Sequence, residues 1–154
     1  MSQRSTDHET FEIVRTYEAA PAGVFAAWAN PEAKASWFGP AGPRTFEFEV
    51  GGREHFAAGG PDGASYTYEA LYYDIVADQR IVYAYEMHRD GTRISVSLST
   101  VCFEDEAEGA GTRLTYTEQG VFLDGHDTAA AREHGTGEML NALAARLRDG
   151  IPAA

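Results

Sequence analysis

Glu54, Glu118 and the pair Glu86/His88 are the side chains here whose chemistry goes beyond packing. Each lies in a segment that alternates polar and apolar residues, so each points to one face of a strand. Glu54 shares its face with Phe56, two residues on. A buried carboxylate must be hydrogen-bonded, paired or protonated. With a raised pKa, Glu54 would serve as a general acid or base. The competing role is a solvated strand residue or a structural partner for Arg53 or Arg93. Glu118 shares a face with Leu114 and Tyr116, before Gly120. It reads either as an acid–base group or as a strand-end residue bonded to a loop. His88 shares a face with Glu86 and would titrate near neutrality. The plainer role is a hydrogen-bonded rim histidine.

Eight tyrosines accompany these groups: Tyr17, Tyr66, Tyr68, Tyr72, Tyr73, Tyr83, Tyr85 and Tyr116. Tyrosine joins an apolar ring to a polar tip, which suits a pocket that orients a ligand bearing a hydroxyl or carbonyl. Strands also favour tyrosine for packing alone. Tyr66, Tyr68, Tyr83, Tyr85 and Tyr116 are therefore expected to divide between an inner and an outer face.

Other chemistries lack their signatures. His8, His55, His88, His126 and His134 show no HxxxH or HExxH spacing, so no metal site is expected. No GxSxG, Walker A or GxGxxG motif occurs, and no cofactor is expected. Cys102 lies in an apolar strand and reads as a small core residue.

The elements that must position the candidates follow from punctuation and periodicity. Residues 1–10 are polar and read as a flexible terminus ahead of a single domain over 11–150. Phe11 to Tyr17 alternates as a first strand. Pro21 suits a first helical turn, and Val24, Phe25 and Trp28 recur at helical spacing. A second short helix runs from Pro31 to Trp37, before Gly39-Pro40. From Arg44 to Gln119 the pattern is β. Gly51-Gly52 reads as a two-residue hairpin turn and Asp90-Gly91 as another. Arg93 to Phe103 alternates Ile94, Val96 and Leu98 against Ser95, Ser97 and Ser99, which predicts a wet serine face. The last strand runs from Thr112 to Gln119. Asp127 or Thr128 caps a final helix whose stripe is Met139, Leu140, Leu143, Ala144 and Leu147. Gly150 and Pro152 end it.

The chain has 154 residues, enough for one core without a staple. Its 44% apolar and 23% charged residues are ordinary for a globule. The net charge of −12 is less so. It excludes nucleic acid, whose affinity comes from cations on phosphates, and an anionic membrane surface. The excess acid sits at a terminus (Asp7, Glu9, Glu12, Glu18) and in the loop Glu104-Asp105-Glu106-Ala107-Glu108. It therefore reads as a solubility feature, not a description of a site. With one cysteine, no apolar signal core and no membrane span, a cytoplasmic location is expected.

The order strand, two helices, six strands, long helix resembles the START-like (SRPBCC) superfamily, the helix-grip fold. The similarity is greatest to the branch of the activator of the heat-shock-protein-90 ATPase, often labelled polyketide-cyclase-like. The carrying residues are Ala20-Pro21, Val24-Phe25-Ala26-Ala27-Trp28, Asn30-Pro31-Glu32, Trp37-Phe38-Gly39-Pro40 and Val50-Gly51-Gly52-Arg53. Asp62-Gly63, Arg80-Ile81-Val82-Tyr83, Gly111-Thr112-Arg113-Leu114 and Leu140/Leu143/Leu147 continue it. The resemblance implies an α+β fold, a curved antiparallel sheet of about seven strands wrapped on the C-terminal helix. It also implies a hydrophobic cavity between them. Relatives usually carry an apolar or aromatic residue, pointing inward, where this chain has Glu54. Many carry Gly-Trp near Gly135, where this chain has Gly135-Thr136-Gly137, a change that would widen the cavity mouth.

The resulting expectation is a binder of a hydrophobic or aromatic small molecule, lipid- or polyketide-like. Its lining would be Trp37, Phe56, Tyr68, Tyr83, Tyr85, Leu98, Tyr116, Thr136 and Leu140. The enzymatic alternative is a cyclase or dehydratase using Glu54, with Glu118 or His88 assisting. A third is a co-chaperone-like regulator of a chaperone ATPase, ranked last because no second domain supports it. A homodimer is compatible with exposed strand or helix surface, without a deciding signal.

Overall fold

A computed structural model describes residues 4–40, 42–60 and 62–150. Seven strands form one antiparallel sheet in the order β1-β7-β6-β5-β4-β3-β2, curved around a long helix. The strands are β1 (Thr6–Tyr17), β2 (Arg44–Phe46), β3 (Arg53–Gly59), β4 (Ser65–Val76), β5 (Arg80–Arg89), β6 (Thr92–Glu106) and β7 (Gly111–Leu123). The helices are α1 (Pro21–Ala29), α2 (Pro31–Ala35) and α3 (Ala129–Asp149). This is the α+β helix-grip architecture.

Consecutive strands from β2 to β7 are neighbours, and only β1 crosses over to pair with β7. Local chemistry sets the joints. Asp90 and Gly91 both take positive φ, 49° and 82°, which matches the twist of a tight hairpin. Asn30 caps α2 by accepting from the Ala33 amide at 2.9 Å, and Thr128 caps α3 by accepting from Ala131 at 3.1 Å. Gly150, with φ 82°, ends α3.

Several boundaries differ from expectation, α2 among them, which ends at Ala35 and not at Trp37. Strand β1 begins at Thr6, because Thr6 to Thr10 pair with Leu123 to Gln119 of a β7 that runs past Gln119. The polar residues there occupy an edge strand, where solvent exposure carries no penalty. The turn at Gly51-Gly52 is also wider than two residues. Glu47 and Arg53 close it by a backbone bond of 2.9 Å, and it docks on Tyr72 of β4. A Cβ on Gly52 would lie 2.1 Å from the Glu47 carbonyl oxygen, so no other residue fits.

The largest correction concerns β6. Ser95, Ser97 and Ser99 are buried, whereas Val96 and Leu98 are 43% and 40% exposed. The apolar parity of the segment switches at Thr100, since Val101 and Phe103 are also buried and share the serine face. A continuous strand cannot serve both parities. The deeper half prevails: Phe103 packs edge-on against Phe25 and Trp28 of α1. Ile94 escapes exposure through a bulge, where Met87 and His88 of β5 face Ser95 and Arg93.

Helix α3 lies across the concave face. Leu140 and Leu143 are buried in the main core with Tyr17, Ile13 and Trp28. The Tyr17 hydroxyl donates to the Leu140 carbonyl at 3.0 Å. Gly137 brings the helix close to β1, since a Cβ there would sit 3.3 Å from an Arg15 nitrogen.

Candidate ligand cavity

The inner face carries two separate buried carboxylates. Glu54 of β3 lies beneath α2 and accepts from Lys34 Nζ at 2.6 Å and Tyr72 Oη at 2.8 Å on Oε1. Arg44 Nη1 donates to Oε2 at 3.3 Å. Arg44 also donates to the carbonyls of Phe38 and Pro40, so the cluster ties β2, β3 and the segment after α2 together. Burial pushes the Lys34 ammonium pKa down, and the Glu54 charge partly offsets this. The Lys34 nitrogen also stands 4.2 Å from the Phe38 ring centre. Glu54 is therefore spent in an ion-pair cluster and does not line the cavity. Its partners are Lys34 and Arg44, not Arg53 or Arg93.

Glu118 of β7 organises the second centre. Tyr85 Oη donates to its Oε2 at 2.7 Å and Tyr116 Oη to its Oε1 at 2.8 Å. Ser99 Oγ lies 2.9 Å from Tyr116 Oη, and Tyr83 Oη donates weakly to the same oxygen at 3.4 Å. Arg132 of α3 stands 3.6 Å from Glu118, and donates to Tyr85 Oη at 2.9 Å, Ser95 Oγ at 2.8 Å and Asp127 at 2.9 Å. The serines thus face inward: Ser95 and Ser99 serve this network, while Ser97, whose hydroxyl has no hydrogen-bond partner among the described residues, leaves room opposite Tyr85 as Ser99 does opposite Tyr83. Burial pushes the Tyr83, Tyr85 and Tyr116 hydroxyls to far higher pKa than a free phenol. Burial alone would lower the Arg132 pKa, but Tyr85, Glu118 and Asp127 more than offset it and the net shift is upward.

Between this network and α3 lies a cavity of about 340 Å³. Phe38, Phe56, Tyr68, Tyr83, Tyr85 and Tyr116 wall one side; Ala131, Arg132, Gly135, Thr136 and Met139 wall the other. Phe56 and Tyr68 stack with centres 4.8 Å apart, and Tyr68 abuts Tyr85 at 5.0 Å. Gly39, at φ +80°, makes room for the Phe56 ring, since a Cβ there would lie 2.7 Å from Phe56 Cζ. Nothing stands within 4 Å of a Cβ built on Gly135, so the helix leaves the cavity open there.

Of the residues expected to line it, Phe56, Tyr68, Tyr83, Tyr85, Tyr116 and Thr136 do. Trp37 instead packs on Trp28 at 4.8 Å and donates to the Ala27 carbonyl. Leu140 is core, and Leu98 lies on the outer face. His88 is also outside, because β5 turns Tyr85 and Met87 inward. It lies 2.6 Å from Glu86, which Arg93 also holds at 3.1 Å. The His88 contact is the first cause that lowers the Glu86 pKa. Glu69 joins them, the three offering ligand atoms within 4.8 Å of one another. Cross-strand pairing of Glu69 with Glu86 creates that group, which linear spacing does not display.

Reading from the sequence overlooked Arg132 and Lys34. Arg132 had a signal: a cation near the N-terminus of a helix opposes the dipole and needs another reason to be there. Lys34, in a five-residue helix, had none.

The family model described as Activator of Hsp90 ATPase homolog 1-like protein matches residues 18–148. The chain belongs to this family. The chain is similar to an uncharacterized protein from Rhizobium leguminosarum, at 43% identity over 97% of this chain and 100% of that one, TM-score 0.91. It is equally similar in sequence to Mll3558 from Rhizobium loti, at 43% identity over 92% and 98%, TM-score 0.85. DynU16, from the dynemicin biosynthetic locus, shares the fold at 18% identity, TM-score 0.67, over 93% of this chain and 48% of that one. No curated protein matches the chain. Among the described residues no helix is long and apolar enough to cross a membrane.

Proposed function

We propose that the protein binds a hydrophobic or aromatic small molecule, lipid- or polyketide-like, between the sheet and α3. The observation that carries this reading is the aromatic-walled cavity of about 340 Å³ beneath Gly135. Its size falls at the lower end of the range of about 300–1,000 Å³ typical of small-molecule pockets. DynU16, of the dynemicin biosynthetic locus, carries the same fold, which suits a biosynthetic ligand.

Binding is favoured over acid–base catalysis by the hydroxyls themselves. A general acid works best with a pKa near ambient pH. Burial moves Tyr83, Tyr85 and Tyr116 away from it, so they hold their protons, donate them in hydrogen bonds to Glu118 and Tyr116, and present their rings to a ligand. Glu54, the earlier catalytic candidate, is fully engaged elsewhere.

The test is fluorescence titration with prodan, an uncharged naphthyl ketone, alongside native mass spectrometry of the purified protein. Saturable binding to the wild type is expected. Gly135→Trp places a ring in the open space and removes part of the helix-propensity penalty of about 1 kcal/mol that glycine carries against alanine, so the fold should hold. Binding to this variant should be lost. Equal binding to Gly135→Trp, or none to the wild type, overturns the reading.

A further inference from the structure

Resting on that binding reading, we infer that the cavity selects uncharged ligands bearing a carbonyl or hydroxyl oxygen and discriminates against the same skeleton as a carboxylate. The argument is one of local charge. Among the described residues that line the cavity Arg132 is the sole cation, and it is already matched twice. Asp127 holds it at 2.9 Å and Glu118 lies 3.6 Å away. One cation stands against two carboxylates, so an arriving anion meets net negative charge in a weakly screened site.

The start of α3 would otherwise welcome an anion through its dipole. Asp127 already occupies that position, with Oδ1 accepting from the Thr128 amide at 2.8 Å and Oδ2 from Arg132. An anionic ligand that drew Arg132 away would also strand Glu118, which has no solvent exposure. Glu118 would keep only its two tyrosine donors, and an unpaired buried charge is strongly unfavourable.

A neutral oxygen meets none of these obstacles. Among the described residues the hydrogen bonds of Arg132 leave from Nη1 and Nη2, so its Nε–H is the donor that this selectivity assigns to an incoming acceptor. Thr136 follows Arg132 by one helical turn, so its hydroxyl shares the same wall. A donor and a donor–acceptor therefore flank an otherwise aromatic chamber. They suit a ketone, phenol or alcohol.

The experiment displaces prodan with acetonaphthone, naphthoate and ethylnaphthalene at neutral pH, in wild type and Asp127→Asn. Asparagine keeps the oxygen that accepts from Thr128 and deletes one charge. In the wild type acetonaphthone should compete at least about tenfold better than ethylnaphthalene, the scale of a hydrogen bond to a charged donor, and should lead naphthoate by a ratio set by the net negative charge. Asp127→Asn should narrow that ratio by improving naphthoate. Naphthoate competing as well as acetonaphthone, or a ratio unmoved by Asp127→Asn, overturns the selectivity and leaves the binding reading intact. Failure of all three ligands and of prodan itself overturns both.

Discussion

Lys34 Nζ and Glu54 Oε1 lie 2.6 Å apart with both side chains closed to solvent. A salt bridge this deep repays the desolvation of its members only while both remain. Glu54→Gln should therefore destabilise the fold by about 3–5 kcal/mol, the usual cost of breaking a buried pair from one side. Prodan binding by the remaining folded protein should be unchanged, since Glu54 is outside the lining. Urea denaturation and probe titration of the same variant check both halves. Weakened binding at unchanged stability would return Glu54 to the site.

Arg132→Met leaves Glu118 buried without its cation. A loss of about 2–5 kcal/mol is expected, by the same argument for an orphaned charge. The double variant Arg132→Met/Glu118→Gln should recover part of it, because the stranded charge is then gone. A double-mutant cycle by chemical denaturation measures the coupling. Additive losses would mean that the 3.6 Å separation carries no energetic link.

The inward serines of β6 make a contrast with their neighbours. Leu98→Ser should change stability by no more than about 0.5 kcal/mol and leave probe affinity alone, as an exposed substitution does. Ser99→Ala removes a hydrogen bond from buried Tyr116 and should cost about 1 kcal/mol or more. Thermal melts of the two variants side by side decide the matter. The reverse ranking would restore the serine face to solvent.

Alkaline pH should unfold the protein cooperatively. Burial raises the pKa of Tyr17, Tyr68, Tyr72, Tyr83, Tyr85 and Tyr116 above the ordinary 10.0. A group raised in the fold gives stability that is complete below its unfolded pKa and is lost as pH climbs past it. Each such tyrosine removes about 1.4 kcal/mol per pH unit above 10 until it ionises in place. Lys34 acts oppositely. Its folded pKa is lowered, so its contribution grows as pH rises toward 10.5, but it is one group against six. Tyrosinate absorbance and circular dichroism, followed together from pH 9 upward, should therefore change in one step. Gradual ionisation with the fold intact would contradict it.

Gly39→Ala should cost about 1–2 kcal/mol from its left-handed backbone alone, with added displacement of the Phe56 ring. Phe56→Leu should relieve the second part, so the two losses should not add. Prodan affinity should fall in Gly39→Ala because the displaced ring is a cavity wall. Strict additivity and unchanged affinity would separate Gly39 from the cavity.

The order of elements, a cap at Asp127 or Thr128, the hairpin at Asp90-Gly91 and the stop at Gly150 were all legible in the sequence. Each is a local matter of backbone conformation and hydrogen bonding within a few residues. Periodicity also placed Tyr66, Tyr68, Tyr83, Tyr85 and Tyr116 on strands but left them divided between an inner and an outer face. It failed at β6, where two apolar parities compete and distant packing on Phe25 and Trp28 chooses between them. Which carboxylate meets which cation was beyond reach for a related reason. Lys34 and Glu54 are twenty residues apart, and Glu118 and Arg132 are joined only when α3 closes over the sheet. Burial then fixes their partners: Glu54 joins Lys34 of α2 and Arg44 of β2, and Glu118 sits behind the tyrosines of the cavity wall.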